Sequence, residues 1–307
     1  MKVVYGHTDS IYVKIDSVEK AQSICEEVNE HVQGLFPNVL GLDYHPVQLE
    51  FEKYYKTLGV GCVRNRNAGF ISWKDGFFLD EPEFVVTGFT MKRISETGLE
   101  KEVQKTAIEM WVNECDENEL VKYVKNTFND VKKGNVPLEK ITKRTRLKEN
   151  RLKLKHICGK EYNMMELVDM YNRTGLLESG NDKLKCKCNK NLEKTLFKTL
   201  EGKNITIGSG IAGLIYYNQT HKENIDDSYL FLKCQPNGRR FIDPFGESKP
   251  VTYVSVREQS EFNGYIPDYN FYAETVIKKA KPVFEAMGWN VGQCREDNTQ
   301  SVLDDWW

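Results

Sequence analysis

The chain begins with two short β-type segments on either side of a Gly-His-Thr-Asp sequence at residues 6–9. Lys2–Tyr5 and Ser10–Ile15 are rich in β-branched and aromatic residues. This spacing predicts a β-hairpin. Ser17 then suits the N-cap of a helix whose apolar side chains recur every three or four residues. The start of the chain is therefore predicted to combine strands and helix.

Asp9 lies at the predicted tip of this hairpin, where the turn projects its side chain beyond the sheet. A carboxylate and the adjacent carbonyls are hard oxygen ligands that suit Mg²⁺. One carboxylate is not a complete site, since two-metal phosphoryl transfer needs at least one more acid, with the metals about 4 Å apart. Aspartate is also common in turns for backbone reasons. Spacing alone leaves both interpretations open.

The charge balance excludes a polycation that coats nucleic acid, because 43 Lys and Arg face 45 Asp and Glu. No apolar stretch approaches the length of a membrane span, and the N-terminus does not resemble a signal peptide, so no membrane partner is expected. The eight cysteines are scattered, which indicates reduced thiols and a cytoplasmic protein.

Cys186 and Cys188, with His156 and Cys158 upstream, offer the residue types of a zinc site. A zinc ribbon or finger has two or more residues between paired cysteines, and here there is one. The interpretation favoured at this point is free thiols.

Further elements follow from local pattern. The predicted strands are Val47–Glu52, Gly69–Trp73 and Ile205–Tyr217, and the predicted helices are 99–133 in two pieces and Tyr269–Met287 with a kink or break at Pro282. A basic stretch runs from Pro137 to Lys160, where nine Lys and Arg face two Glu, which leaves +7. Such segregated charge is what binding to a phosphate backbone needs, although charge runs are often only solvated faces.

The hexapeptide from Tyr5 to Ser10 resembles the Tyr-Gly-Asp-Thr-Asp-Ser motif of family-B DNA polymerases. Further segments resemble family motifs in the order in which the family has them. Leu49–Lys56 resembles the Glu-Lys-x-Tyr segment, Arg64–Gly69 stands at the place of the Lys-Lys-x-Tyr motif, and Thr87–Arg93 resembles the Lys-Gly-x-Glu-x-x-Arg segment. Ile266–Tyr272 and Ala286–Trp289 resemble the start and the end of the last thumb helix. Residues 156–204 match poorly.

The resemblance implies an α/β (α+β) fold, with the C-terminal part of a polymerase palm that carries the motif-C hairpin and then a mainly helical thumb with some strands. The expected domains are palm at 1–62, thumb at 63–292 and a flexible tail at 293–307. Some archaeal members are divided into two polypeptides between the fingers and this hairpin. The chain resembles their small subunit, and a large subunit would supply the first palm motif, the fingers and the exonuclease.

The resemblance also implies roles for individual residues. Asp9 corresponds to the acid that ligates the metals, with two Mg²⁺ ions shared with the large subunit, and His7 and Thr8 complete the catalytic turn. His7 stands where the family has another acid, so it either tunes the site, contacts the primer end or is a turn residue. The expected contacts to primer-template DNA are Tyr5, Arg64, Arg66, Arg93, Lys143, Arg144, Arg146, Lys148 and Arg151. Asn65 and Asn67 replace a Lys and the Tyr of the Lys-Lys-x-Tyr motif.

The last eight residues resemble a peptide that binds the sliding clamp, with Gln300, Leu303, Trp306 and Trp307 as its contacts. A single 3₁₀ turn places positions i and i+3 on one side, so an aliphatic and an aromatic side chain can enter one pocket. The alternative is that the two tryptophans fold back on this protein or join a subunit interface.

The leading hypothesis is therefore a subunit that extends a primer with deoxynucleoside triphosphates, in the cytoplasm at the nucleoid. The alternative is a non-catalytic module, derived from a family-B polymerase, that binds DNA and the clamp. A third reading is a truncated piece of a one-chain polymerase.

Overall fold

A computed structural model describes residues 2–7, 9–174, 184–225 and 227–295, without the side chains of His7 and Thr174. The paired strands are antiparallel and are accompanied by helices, so the described chain is an α+β protein. It divides into two compact units: Met1–Thr90, Val103–Lys125 and Ile277–Trp307 form unit 1, and Met91–Glu102 with Asn126–Val276 forms unit 2. The predicted boundary between palm and thumb is a functional division and stays a prediction.

Unit 1 contains the predicted hairpin. Strands β1 (Lys2–His7) and β2 (Ser10–Lys14) pair antiparallel, and helix α1 (Val18–Leu35) follows them. Ser17 is the N-cap of α1, since its side chain accepts a hydrogen bond from the Lys20 amide at 3.2 Å. The predicted hairpin and helix are thus confirmed.

A three-stranded sheet in unit 1 consists of β3 (Lys53–Val60), β4 (Asn67–Lys74) and β5 (Phe77–Thr87), in that order. The turn between β4 and β5 has φ of 52° at Asp75 and 94° at Gly76, which an Asp-Gly pair tolerates well. The predicted strand at Val47–Glu52 is wrong, because pairing with β4 begins only at Lys53.

Helices α2 (Gly98–Val112) and α3 (Glu117–Lys132) confirm the prediction of two helical pieces. Each begins with reciprocal hydrogen bonds between an N-cap and the residue three positions later: Thr97 with Glu100, and Asp116 with Glu119. These capping boxes satisfy amide groups that a helix start otherwise leaves unpaired.

Unit 2 holds small antiparallel sheets with short helices. The sheet orders are β13-β10-β6, β8-β7-β9 and β11-β12. The strands are β6 (Lys143–Arg146), β7 (Lys153–His156), β8 (Glu161–Asn163), β9 (Phe197–Thr199), β10 (Ser228–Lys233), β11 (Arg240–Ile242), β12 (Ser248–Pro250) and β13 (Tyr253–Val256), and the helices are α4 (Leu138–Ile141), α5 (Met164–Thr174) and α6 (Ser209–His221).

The predicted strand at Ile205–Tyr217 is wrong, because most of this segment belongs to helix α6. Short apolar runs suit a buried helix as well as a buried strand. Gly213 allows α6 to pack closely on β13, because a Cβ there would lie 2.3 Å from the Ser255 hydroxyl.

The last helix, α7 (Tyr269–Met287), is one continuous element through Pro282, so the predicted break is not present. Gly288 follows with φ of 72°, as expected at a helix C-terminus. Among the described residues, no helix is long and apolar enough to cross a membrane.

Candidate active site at the hairpin

Asp9 lies in a two-residue turn that the pairing of His7 with Ser10 closes. Its carboxylate is exposed, and its Oδ1 accepts a hydrogen bond from the Ser10 hydroxyl at 3.4 Å. An exposed carboxylate on a strand-anchored turn is available to a metal ion. The side chain of His7 and all of Thr8 lie outside the described residues, so their catalytic roles stay predictions.

The carboxylate of Asp9 can supply part of the ligand set of a magnesium site. Hard oxygen ligands are what Mg²⁺ requires, and Asp9 provides one. Within the described ranges, no group of three or more His, Cys, Asp or Glu side chains gathers at this turn. A complete two-metal site needs at least one acid in addition to Asp9.

Tyr5 connects the hairpin to the loop between β3 and β4. Its hydroxyl donates to Asn65 Oδ1 at 3.3 Å and accepts from the Asn65 amide at 3.2 Å. Asn65 has φ of 62°, a left-handed conformation that asparagine tolerates. The ring of Tyr5 packs on Tyr12, with centroids 5.4 Å apart, and Tyr12 packs on Tyr55 at 6.0 Å.

This aromatic row supports the hairpin against the sheet of unit 1. Burial, with smaller effects from Tyr12 and nearby carboxylates, raises the pKa of Tyr55 to about 12. Its hydroxyl therefore stays protonated and neutral at physiological pH. The three rings thus join the hairpin to strand β3 of the sheet.

The loop that Tyr5 contacts carries Arg64 and Arg66. Arg64 is exposed, and the guanidinium of the half-buried Arg66 lies 5.9 Å from the Phe89 ring centroid. A Cβ at Gly88 would overlap the Asn65 carbonyl oxygen, so the loop packs closely on the chain that follows β5. Two arginines are thereby held on a restrained loop joined to the hairpin, where they can bind phosphate oxygens.

Asn67, which stands where the family motif has tyrosine, is only 6% exposed in the central strand β4. Its side chain is therefore enclosed within unit 1 and does not replace a solvent-facing tyrosine. The primer contact expected of that tyrosine is accordingly not available from Asn67.

Unit 2 holds the other cations predicted to contact DNA. Lys143 is half-buried and pairs with the buried Glu100 at 3.2 Å, which makes its ammonium the least available of the set. Arg144 and Arg146 alternate with it along β6 and are exposed. The remaining predicted contacts, Arg93, Lys148 and Arg151, are exposed as well. All of these DNA contacts stay predictions.

The four residues with unusual zinc spacing do come together. The ligand atoms of His156, Cys158, Cys186 and Cys188 all lie within 4.8 Å of one another. The preference for free thiols rests on the single residue between the paired cysteines. A usable signal was present in the sequence, because His-Ile-Cys-Gly-Lys at 156–160 and Cys-Lys-Cys-Asn-Lys at 186–190 share one pattern. The residues predicted to contact a sliding clamp, Gln300, Leu303, Trp306 and Trp307, lie outside the described part of the chain.

Comparison with known proteins identifies relatives of the N-terminal part. A family model described as DNA polymerase family B matches residues 1–177. A DNA polymerase of Archaeoglobus fulgidus is 30% identical over 140 residues, which is 46% of this chain and 15% of the relative. The DNA polymerase delta catalytic subunit of Glycine max is 30% identical over 133 residues, which is 42% of this chain and 11% of the relative.

The DNA polymerase zeta catalytic subunit of Schizosaccharomyces pombe is 25% identical over 140 residues, which is 45% of this chain and 9% of the relative. The matched region thus spans less than a fifth of the length of each of these relatives.

Proposed function

Because this chain belongs to DNA polymerase family B, we propose that it supplies the C-terminal part of the palm and the thumb of a DNA-directed DNA polymerase. The reaction is template-dependent addition of deoxynucleotides to a primer 3′ end. The observation that carries this proposal is the link between the turn of Asp9 and the loop of Arg64 and Arg66, made by the hydrogen bonds of Tyr5 with Asn65. A metal-ligating carboxylate and phosphate-binding cations are thereby held on connected backbone.

The proposed division of labour follows from side-chain chemistry. Asp9 contributes a carboxylate oxygen to the metal site, and an acid from a first palm motif contributes the other. Two Mg²⁺ ions, when bound, stabilise the attacking and leaving oxygens of an in-line displacement. Arg64 and Arg66 orient the nucleic-acid backbone, because a guanidinium forms paired hydrogen bonds with phosphate. Phosphoryl transfer then depends mainly on positioning and on neutralisation of charge.

The remaining parts of the enzyme are proposed to reside in a large subunit of a split, archaeal-type polymerase. It would provide the first palm motif, the fingers that meet the deoxynucleoside triphosphate, and the exonuclease. The chemical reason for such a partner is that two-metal phosphoryl transfer needs at least one acid besides Asp9. A sliding clamp that binds the C-terminal tail would keep the complex on primer-template DNA by raising its effective concentration.

A non-catalytic module that binds DNA and the clamp is the second candidate. His7 in place of an acid and the enclosed Asn67 are the observations that favour it. Both departures weaken the metal and primer contacts while leaving the exposed cations in place. The two candidates differ in one measurable property, which is primer extension.

The deciding experiment compares Asp9→Ala with wild type in a primer-extension assay, with a candidate large subunit added. We expect Asp9→Ala to lower the rate by about 10³-fold or more, because a lost metal ligand removes several kcal/mol of transition-state stabilisation. DNA affinity, measured by fluorescence anisotropy, is expected to stay within about twofold, since one exposed carboxylate contributes little to phosphate binding.

Asp16→Ala is the matched control. Asp16 is an exposed aspartate near the hairpin, and its pair with Lys20 is a surface contact of small energetic value. Extension at the wild-type rate by Asp9→Ala would exclude Asp9 as a metal ligand. DNA binding without extension by any combination of wild-type chain and large subunit would instead support the non-catalytic module.

A further inference from the structure

Unit 2 contains a cluster of soft metal ligands that the proposed polymerase site does not use. His156 Nδ1 lies 3.0 Å from Cys158 Sγ and 3.9 Å from Cys188 Sγ, and Cys158 Sγ lies 3.6 Å from Cys186 Sγ. A tetrahedron with metal–ligand bonds of about 2.1–2.3 Å has edges of roughly 3.4–3.8 Å. The three distances fall below, above and within this range and all six pairs lie within 4.8 Å, so small side-chain rotations bring the four atoms around one metal ion.

The two ligand pairs lie on turns of the same construction. In the first turn the His156 amide donates to the Lys160 carbonyl, and the Gly159 amide donates to the His156 carbonyl. In the second turn the Cys186 amide donates to the Lys190 carbonyl, and the Asn189 amide donates to the Cys186 carbonyl. The spacing along the chain is the same in both turns.

The fourth residue of each turn has a positive φ, 87° at Gly159 and 63° at Asn189. Glycine and asparagine are the residues that tolerate this conformation best. Two copies of one turn, each presenting two ligands toward the other, are a strong sign of a built site.

Neighbouring side chains hold the ligands of this cluster in place. His156 is 1% exposed and Cys186 is 3% exposed, and the Tyr162 hydroxyl donates to Cys186 Sγ at 3.0 Å. The His156 ring also packs edge-on against Phe197, with centroids 5.0 Å apart. Partners that orient the ligands in this way are typical of metal centres.

We propose that His156, Cys158, Cys186 and Cys188 bind one zinc ion in a closed structural site. Three sulfur ligands and one imidazole favour Zn²⁺ over Mg²⁺ or Ca²⁺, which take oxygen ligands. Binding releases the thiol protons to solvent, and three thiolates with a neutral imidazole give the loaded site a charge of −1. Lysines in both turns, among them Lys160 and Lys187, offset this charge.

The function of the ion is to fasten two hairpins to each other. Residues 184–192 form a short hairpin with the Lys185–Asn191 bridge, and β7 with β8 forms the other. Cys158 and Cys188 are exposed, which leaves a path by which the ion enters. Because protein side chains provide four ligands, no position remains for a substrate, and the site is structural and not catalytic.

The test measures metal content in the full-length chain, produced with zinc in the medium and purified without chelators. We expect about one zinc ion per chain by mass spectrometry of the metal. The double variant Cys186→Ser with Cys188→Ser is expected to retain at least tenfold less zinc than the wild-type chain. The matched control, Cys25→Ser with Cys62→Ser, changes two cysteines outside the cluster and is expected to keep the wild-type zinc content.

A cobalt titration of the metal-free wild-type chain makes the test independent of whether the serine variants fold. We expect the strong visible absorption of tetrahedral cobalt and a thiolate charge-transfer band. His156→Cys is expected to keep one metal ion and to strengthen that band, since a Cys₄ set also binds tetrahedrally. Substoichiometric zinc after anaerobic reconstitution, or the weak spectrum of octahedral cobalt, would overturn the proposal.

Discussion

At the scale of single residues, the hydroxyl of Tyr5 links the hairpin to the loop between β3 and β4. It was predicted to contact DNA, and it makes two hydrogen bonds with Asn65. Through them it sets the position of the turn that carries Asp9 relative to the loop that carries Arg64 and Arg66. We therefore interpret Tyr5 as a positioning residue.

Tyr5→Phe tests this role, because it removes the hydroxyl and keeps the ring that packs on Tyr12. We expect the Asn65 amide to exchange its hydrogen about fivefold faster, which corresponds to the roughly 1 kcal/mol of one hydrogen bond. Hydrogen exchange read by NMR or mass spectrometry measures this directly. Tyr12→Phe is the control and is expected to leave exchange at Asn65 unchanged. An Asn65 amide that exchanges equally in Tyr5→Phe and wild type would contradict the positioning role.

At the scale of elements, strand β6 presents its cations by simple alternation. Successive side chains of a strand point to opposite faces, so Arg144 and Arg146 share one face and Lys143 lies on the other. The sheet order places β6 at an edge, beside β10. The two arginines are thus exposed together, while Lys143 is occupied by Glu100.

The double variant Arg144→Gln with Arg146→Gln is expected to weaken DNA binding and to lower its dependence on salt. Each phosphate contact contributes about 0.9 to the slope of log affinity against log salt, so we expect a slope smaller by roughly 1.8. Anisotropy titrations over a series of salt concentrations measure it. Lys105→Gln with Lys122→Gln removes two exposed cations from α2 and α3 and serves as the control. An unchanged slope in the β6 variant would remove this strand from the DNA contact surface.

At the scale of the whole molecule, the family match at 1–177 includes residues of both compact units. Family membership is therefore supported by more than the hairpin motif. The proposed functions are spread along the chain: the metal ligand near the start, the basic strand in unit 2, and the clamp-binding residues in the tail. Each proposed function can therefore be tested by substitutions that leave the other two sites unchanged.

Trp306→Ala with Trp307→Ala addresses the tail. We expect it to weaken capture by an immobilised sliding clamp at least tenfold, because two aromatic anchors in a pocket supply much of such a contact. Extension in the absence of the clamp is expected to stay at the wild-type rate. Clamp capture that survives the change would contradict the assignment of Gln300, Leu303, Trp306 and Trp307. A lower rate without the clamp would favour the alternative that the tryptophans pack on this protein or on its partner.

Local pattern in the sequence was sufficient for the hairpin, for α1 with its Ser17 cap, and for α2 and α3. Each depends on residues a few positions apart, whose steric and hydrogen-bonding preferences act within one element. The motif around Asp9 likewise indicated the family, together with the further family segments that follow it in order along the chain. These features were readable before any packing was known.

Tertiary structure decided the features that depend on distant residues. Helix α6 packs closely on β13 through the space that Gly213 leaves for Ser255, and Lys143 pairs with the buried Glu100. The cluster of His156, Cys158, Cys186 and Cys188 brings Cys158 and Cys186 together across 28 positions, so the spacing within either pair does not predict it. Contacts of this kind form when separate segments pack together, and the preferences of neighbouring residues do not encode them individually.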